Sequence, residues 1–334
     1  MKTRVPLSRR RFWLRVGWLS LGTLVVWVAG LAFGPIDLPP DRLRNALLGT
    51  DALAHQVLFE VRLPRVLTAG LLGALLSLAG TSFQGFLRNP LADPYLLGVA
   101  GGAGLGLTVA LVAGLDANVS TAVALLGAWL AWLAVERLAT EAGQLSIWRL
   151  LLAGAVANAV AGAGIFWIQS LSSPEQLQGI IARLLGRIPL LSLEKLAGLG
   201  GMLVLGLALL ILRSREFNVL GLGDLDAGSI GVDVERIRRE AYTIGSALTA
   251  IAVSQAGLIG FVGLVVPHAL RLLWGPDHRF LFPAAALAGS AFLVACDLVA
   301  RTAIAPAELP VGVVTALVGG PFFLSLLARR PQLG

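Results

Sequence analysis

The sequence is poor in the residues that build disulfides, metal centres and polar active sites. It contains one cysteine and three histidines in 334 residues, and only 13% of its residues are charged, whereas soluble proteins average roughly 25%. The single Cys296 has no partner for an internal disulfide. The histidines are His55, His268 and His278, and no group of Cys and His has the spacing of metal ligands. Neither a disulfide scaffold nor a metal site is predicted.

The sequence also lacks a phosphate-binding loop. The pattern G-x-x-x-x-G-K-[ST] is absent, and Lys2 and Lys195 are the only lysines. That motif holds phosphates with backbone N–H groups and a lysine, so this chain is not expected to bind a nucleotide in this way. We assign no catalytic residue and no cofactor, and we predict a non-enzymatic protein; any ATP hydrolysis would belong to a separate chain.

Apolar residues dominate what is present. They make up 57% of the chain, and the mean hydropathy is +0.83. Because a bilayer offers the backbone no water to bond, spanning segments are predicted to be helices of about 20 residues. The sequence predicts an all-α polytopic membrane protein, a single transmembrane domain over residues 1–334 embedded in the lipid bilayer. Its ten apolar spans cover roughly residues 13–33, 66–87, 95–114, 119–135, 149–171, 196–212, 240–256, 258–274, 280–300 and 309–328.

The number of spans depends on the seventh and eighth, which only residues 254–257 separate, so nine is the alternative. Cytoplasmic loops are enriched in Lys and Arg. Ten spans with a cytoplasmic N-terminus place 18 of the 26 basic residues inside and 26 − 18 = 8 outside. Nine spans would put Arg329 and Arg330 outside, so we favour ten spans with both termini cytoplasmic. The net charge of +7 then faces anionic lipid headgroups, and no nucleic-acid partner is predicted.

Three of the outer arginines stand at the ends of spans: Arg62, Arg65 and Arg301. Asp297 lies one helical turn before Arg301, a spacing that predicts an ion pair. A lone outer arginine can merely reach the headgroups. A planar guanidinium also pairs bidentately with carboxylates, and such charges steer reversible partners. We therefore predict that these arginines dock an acidic protein surface.

The stretch RNPLADP, residues 88–94, interrupts the apolar pattern. Pro90 and Pro94 lack an N–H and disfavour helix before them, so we expect a break between the second and third spans. Asn89 and Asp93 are suited to cap the following helix. Three glycines at four-residue spacing then form a face without side chains, which lets a neighbouring helix approach closely: Gly98, Gly102 and Gly106.

The longest polar stretch inside the chain covers residues 213–240. It contains two short amphipathic pieces, residues 216–222 and 224–230, and its charge places it in the cytoplasm. Most connections have about 2–8 residues, and one this long would expose apolar side chains unless another protein covers them. We predict a docking surface for a soluble cytoplasmic partner.

Four segments, in this order, resemble the FecCD family, the permease subunits of ABC importers for iron-siderophores, haem and vitamin B12. The resemblance covers nearly the whole chain after the first span. The segments are RLPRVLTAGLLGALLSLAGTSFQGFLRNPLADPYLLGV, LGDLDAGSIGVDVERIRR, GFVGLVVPHALR and AELPVGVVTALVGGPFFLSLL.

The resemblance implies a homodimer in a bacterial inner membrane, with two ATP-binding-cassette ATPase subunits beneath it and a periplasmic substrate-binding protein above it. Arginines at the positions of Arg62, Arg65 and Arg301 pair with glutamates on the two lobes of that binding protein. Asn89 and Leu91 match the cytoplasmic gate. The matching ATPase-coupling residues are Leu220, Gly221, Gly223, Asp224, Asp226, Gly228 and Gly231.

A weak inverted repeat relates spans 2–5 to spans 7–10, because each block follows arginines and leads into a proline-containing stretch. The predicted function is an importer permease for a bulky metal chelate, with a ferric siderophore favoured over cobalamin or haem. The small and apolar residues of the fifth and tenth spans do not separate these cargoes. The alternative is an ion-coupled secondary transporter, which would need intramembrane carboxylates, and Asp297 is the candidate in the spans.

Overall fold

A computed structural model of the protein describes residues 9–328, and helices account for nearly all of it. Arg329 and Arg330, which favoured ten spans over nine, lie outside the described residues. Ten of the helices correspond to the predicted spans, so the predicted all-α polytopic fold is confirmed. They are α1 (Arg9–Ala32), α4 (Leu63–Phe86), α5 (Val99–Val112), α6 (Ala117–Ala139), α7 (Ile147–Ser170), α9 (Leu193–Leu212), α12 (Val234–Ala256), α13 (Val262–Trp274), α14 (His278–Thr302) and α15 (Val311–Ala328).

Shorter elements connect these helices. They are α2 (Pro40–Leu48), α3 (Ala52–Gln56), a π-helical turn (Val57–Arg62), a 3₁₀ turn (Pro94–Leu97), α8 (Pro174–Leu184), α10 (Ser214–Leu220), α11 (Asp224–Ser229), and the antiparallel pair β1 (Thr140–Glu141) and β2 (Gln144–Leu145). Among the described residues, six helices are long and apolar enough to cross a membrane, while α5, α13 and α15 are shorter apolar helices. The two short helices α5 and α13 each begin at a break in the chain.

Helix α4 lies at the centre of the bundle, and its residues are buried almost without interruption from Val66 to Phe86. Glycines let its neighbours approach. A Cβ on Gly73 would overlap the backbone of Gly289 in α14, and a Cβ on Gly80 would overlap the backbone of Gly263 in α13. Apolar burial drives little association between helices in lipid, so such close backbone packing is what holds a membrane bundle together.

The close approach of neighbouring helices predicted at the three glycines after the first break is confirmed. Gly102 and Gly106 of α5 lie against the backbone of α6 at Gly127 and Val123. A Cβ on Gly98 would come within 3.0–3.1 Å of side chains of α7 and α6. The φ of +86° also places Gly98 in the left-handed region, where it begins α5.

The predicted relation between spans 2–5 and spans 7–10 is visible in the order of helix lengths. Helices α4, α5, α6 and α7 have 24, 14, 23 and 24 residues, and α12, α13, α14 and α15 have 23, 13, 25 and 18. In each block the second helix is short and follows a break. Residues 257–261 are not helical, so the seventh and eighth spans are two separate helices, as the ten-span interpretation requires. The number of membrane crossings stays a prediction.

Helix α12 starts at Val234, six residues before the predicted span. The Asp233 side chain accepts a hydrogen bond from the Arg236 backbone N–H at 3.0 Å and caps the helix. The first two turns of α12 carry several charged residues, among them Glu235, Arg238 and Arg239. A search for apolar spans therefore leaves these turns out. The polar start of α12 therefore belongs to the helix and also to the predicted segment 213–240.

We expect Gly80→Ala to lower the melting temperature of the detergent-purified protein, because its Cβ would push against the backbone of α13. Overpacking of this kind typically costs about 1–3 kcal/mol. The matched control is Gly201→Ala in α9, where a Cβ meets no neighbouring atom. The buried thiol of Cys296 reports unfolding through a thiol-reactive dye. Equal melting temperatures for the two variants would contradict this packing.

Candidate functional sites

The first candidate site is the break between α4 and α5. Helix α4 ends at Phe86, and Arg88 follows with a φ of +51°. The Asp93 side chain accepts a hydrogen bond from the Tyr95 backbone N–H at 2.8 Å, which confirms it as the cap of the next turn. Asn89 does not cap a helix; its side-chain oxygen accepts from the Leu91 backbone N–H at 2.9 Å and closes a tight turn before it. Both predicted gate residues, Asn89 and Leu91, are exposed.

A second break, residues 257–261, faces the first. It contains Phe261 with a φ of +68°, a left-handed conformation that is unusual for a bulky side chain. The Tyr95 hydroxyl accepts a hydrogen bond from the Ile259 backbone N–H at 2.6 Å, and Pro94 packs against Gly263. The two breaks therefore form one irregular region inside the bundle.

Polar side chains that the sequence analysis did not single out hold this region together. The side-chain amide of Asn158 in α7 donates to the Tyr95 carbonyl at 2.7 Å. The amide of Gln84 in α4 donates to the Leu264 carbonyl at 3.2 Å. Irregular backbone at membrane depth is tolerated only where it is buried in protein or lines a cavity. In the sequence, Asn158 and Gln84 could be recognised as polar residues within apolar spans.

A third site lies at the end of the bundle formed by residues 33–62, 171–192 and 303–310, which we call the outer end. The Arg65 guanidinium donates to both carboxylate oxygens of Asp297 at 2.9–3.2 Å and to Glu308 at 2.8 Å. Arg301 Nε lies 3.4 Å from the same Asp297, as its spacing predicts. Asp297 is buried, while Glu308 keeps 29% of its side chain exposed.

Arg62 and Arg301 point into the bundle, where they meet the last carbonyls of α1. Arg62 donates to the carbonyls of Leu31 and Ala32 at 2.8 and 2.6 Å, and Arg301 donates to that of Gly30. These carbonyls have no partner within their own helix, and a cation at a helix C-terminus is favourable. The three arginines predicted to dock a partner do come together, but two of them are buried within the chain. Their docking role stays a prediction.

An open cavity of about 450 Å³ adjoins this cluster at the outer end. Its polar lining comes from Arg65, Arg187, Asp297 and Glu308. A carboxylate entering from solution would meet Arg65 here. Nη1 of Arg65 is already bound to Glu308. The cavity is the part of the cluster that is open to solvent.

The fourth site is the polar segment at the opposite end, which we call the basic end and define by residues 87–93, 136–146, 213–233 and 275–277. Helices α10 and α11 confirm the two predicted amphipathic pieces. Leu220 is buried and anchors α10. Gly221, Asp226, Gly228 and Gly231 are exposed. Three large apolar side chains also point outward, with exposed fractions of 63%, 91% and 62%: Leu222, Leu225 and Ile230.

Helix α10 is fastened to the start of α14 by a side-chain amide. Asn218 donates to the Asp277 carboxylate at 2.8 Å and accepts from the His278 backbone N–H at 2.8 Å. Burial raises the pKa of Asp277, but hydrogen bonds from Arg279 and Asn218 outweigh it and leave that pKa below its usual value. Asp277 is therefore ionised at neutral pH, and α10 is held in a fixed position.

These features define a class of protein. The bundle of apolar helices and the two facing breaks within it are those of a multi-pass membrane permease. The model of the FecCD transport family matches residues 22–329. The chain belongs to this family of transport permease subunits, whose members work with ATPase and binding-protein partners.

Individual relatives agree over nearly the full length. The chain is 37% identical to the hemin transport system permease HmuU of Yersinia pestis, over 94% of this chain and 96% of the relative. It is 35% identical to the vitamin B12 import permease BtuC of Klebsiella pneumoniae, over 100% and 99%. A solved inward-facing structure described as a metal-chelate type ABC transporter is 30% identical, with a TM-score of 0.85 over 95% of this chain and 99% of that chain.

We expect Tyr95→Phe to increase hydrogen–deuterium exchange at residues 257–261, because the Ile259 N–H loses its acceptor. The effect should correspond to one hydrogen bond, about 1 kcal/mol or several-fold in exchange. Tyr242→Phe in α12 is the control, because the Tyr242 hydroxyl makes no hydrogen bond to residues 257–261. Unchanged exchange in Tyr95→Phe would show that the two breaks are not coupled through this bond.

Proposed function

We propose that the chain is the transmembrane permease subunit of a bacterial ABC importer for a bulky metal chelate, with a ferric siderophore as the leading cargo. The observation that supports this most is the exposed apolar surface of Leu222, Leu225 and Ile230 at the basic end. Water-exposed apolar surface of this kind marks a protein interface. Because the sequence has no phosphate-binding loop, the partner at this surface is a separate ATPase subunit.

The substrate path runs between two copies of the chain. One face of α7 leaves large apolar side chains exposed at four-residue spacing, which supports an interface or path along this helix: Trp148, Leu152, Val156 and Val160. Helix α15 adds exposed Leu317 and Leu324. An apolar lining of this kind suits a chelate that presents carbon atoms around its metal. The gate at the basic end is formed by Asn89 and Leu91, next to residues 213–240, which we call the coupling segment.

The outer end receives the substrate-binding protein, and both termini are cytoplasmic. Arg65 is the primary contact because it faces the open cavity, whereas Arg62 and Arg301 hold α1 beneath it. The alternative of an ion-coupled transporter has less support. Asp297, the carboxylate that it would use, is already paired with Arg65 and Arg301.

Reconstitution tests this function directly. The tagged chain, purified with the ATPase and binding protein that accompany it, is placed in liposomes and given ⁵⁵Fe-ferrichrome, haem or cyanocobalamin in parallel. We expect uptake of one chelate that requires ATP and both partners. Uptake by the chain alone, driven by a proton or sodium gradient, would overturn the proposal.

Docking is tested by Arg65→Gln, which removes the positive charge next to the outer cavity. We expect binding-protein affinity to fall at least about tenfold, as for loss of one partner of a close charge pair, with a weaker dependence on salt. Glu308→Gln is the matched control and should preserve or strengthen binding, since it removes the charge that competes for Nη1 of Arg65. If the affinity for the binding protein changes neither with Arg65→Gln nor with ionic strength, this cluster does not dock the partner.

A further inference from the structure

The carboxylate of Asp224 joins two arginines that lie far apart in the sequence. Its Oδ2 lies 2.7 Å from Nη2 of Arg238, in the first turns of α12, and its Oδ1 lies 3.3 Å from Nη2 of Arg88. The Arg238 side chain is only 13% exposed, so it is held by the helix bundle. Arg238 therefore fixes Asp224 in place, and Asp224 presents its second oxygen to Arg88.

Arg88 belongs to the break between α4 and α5, directly before the gate residues. Its φ of +51° is a conformation that a side-chain-bearing residue adopts only when its surroundings hold it. The ion pair with Asp224 connects this strained residue to α11. Loss of this ion pair would remove the contact that ties the turn at Asn89 and Leu91 to α11.

Helix α11 has two different faces. Asp224 turns toward the gate, whereas Leu225, 91% exposed, points away from the bundle. Gly223 and Gly231 flank the helix with φ values of +126° and +88°. The backbone on each side of this six-residue helix therefore adopts a conformation that is open to glycine and restricted for residues with a side chain. A partner that moves Leu225 also moves Asp224.

We propose that Asp224 is a positioning residue that links the coupling segment to the gate. In the arrangement observed, Arg238 holds Asp224, and Asp224 holds Arg88 and with it the gate turn. A shift of α11 breaks or re-forms the ion pair between Asp224 and Arg88 and so changes the conformation of the turn that contains Asn89 and Leu91. This inference rests on the proposed function, in which an ATPase docks on α11, but it assigns Asp224 to the gate side and Leu225 to the ATPase side.

The pair suits a switch because it is weak. The Arg88 and Asp224 side chains are 36% and 41% exposed, and the 3.3 Å contact between them is not a hydrogen bond, although the Oδ1 atom that faces Arg88 is itself buried. An ion pair between partly exposed side chains contributes little. A modest movement of the docked ATPase is therefore enough to open it. A buried pair in the same place would lock the gate.

The first test uses the purified permease without partners. Asp224→Asn should raise hydrogen–deuterium exchange of residues 86–93 about threefold, the size expected for a partly exposed ion pair. Arg88→Gln should do the same, and the double variant should add nothing further. Leu225→Ser, on the same helix, is the control and should leave this peptide unchanged. Unchanged exchange in Asp224→Asn would overturn the proposal.

The second test uses the complete complex and separates docking from coupling. Asp224→Asn should increase the ATP hydrolysed per chelate imported while leaving ATPase binding intact, and Leu225→Ser should weaken ATPase binding. If Asp224→Asn weakens binding as Leu225→Ser does, Asp224 is a docking residue and the proposal is wrong. If the wild-type complex shows no ATP-driven uptake, the proposed function fails, while the exchange experiment still decides whether the pair holds the gate turn.

Discussion

A helix that stops inside a bilayer leaves backbone N–H and C=O groups without water, and the structure depends on how these groups are satisfied. At the facing breaks, the Tyr95 hydroxyl binds the backbone N–H of Ile259, between α12 and α13. The Gln84 amide binds the backbone carbonyl of Leu264 in the first turn of α13. At the outer end, the guanidinium groups of Arg62 and Arg301 bind the last carbonyls of α1. These side chains make it possible for short helices to begin and end within the protein.

Broken helices also require close packing, and small residues provide it. The contacts of Gly73 with Gly289 and of Gly80 with Gly263 bring α4 against both α14 and α13. Helix α4 can therefore lie at the centre while the two breaks meet beside it. The same arrangement brings Arg88, next to the proposed gate residues, into contact with Asp224 of the proposed coupling segment.

Much of this could be predicted from the sequence because local rules determine it. The apolar spans, the break at Pro90 and Pro94, and the two pieces within residues 213–240 depend on hydropathy and on residues with restricted backbones. The pairings between distant residues could not be predicted. The charge of Arg62 and Arg301 predicts a surface position, yet their acceptors are carbonyls of α1, and no sequence spacing indicates such a partner. The pairing of Arg88 with Asp224 is hidden for the same reason.

The central claim is that the two ends of the bundle face opposite sides of the membrane, with α11 on the cytoplasmic side. Labelling of variants with one introduced cysteine tests this most directly, since the native Cys296 is buried and contributes little background. We predict that Leu225→Cys reacts with a membrane-impermeant maleimide only in inside-out vesicles, and that the exposed Ala307→Cys reacts in intact spheroplasts. Labelling of both variants from the same side would contradict the account.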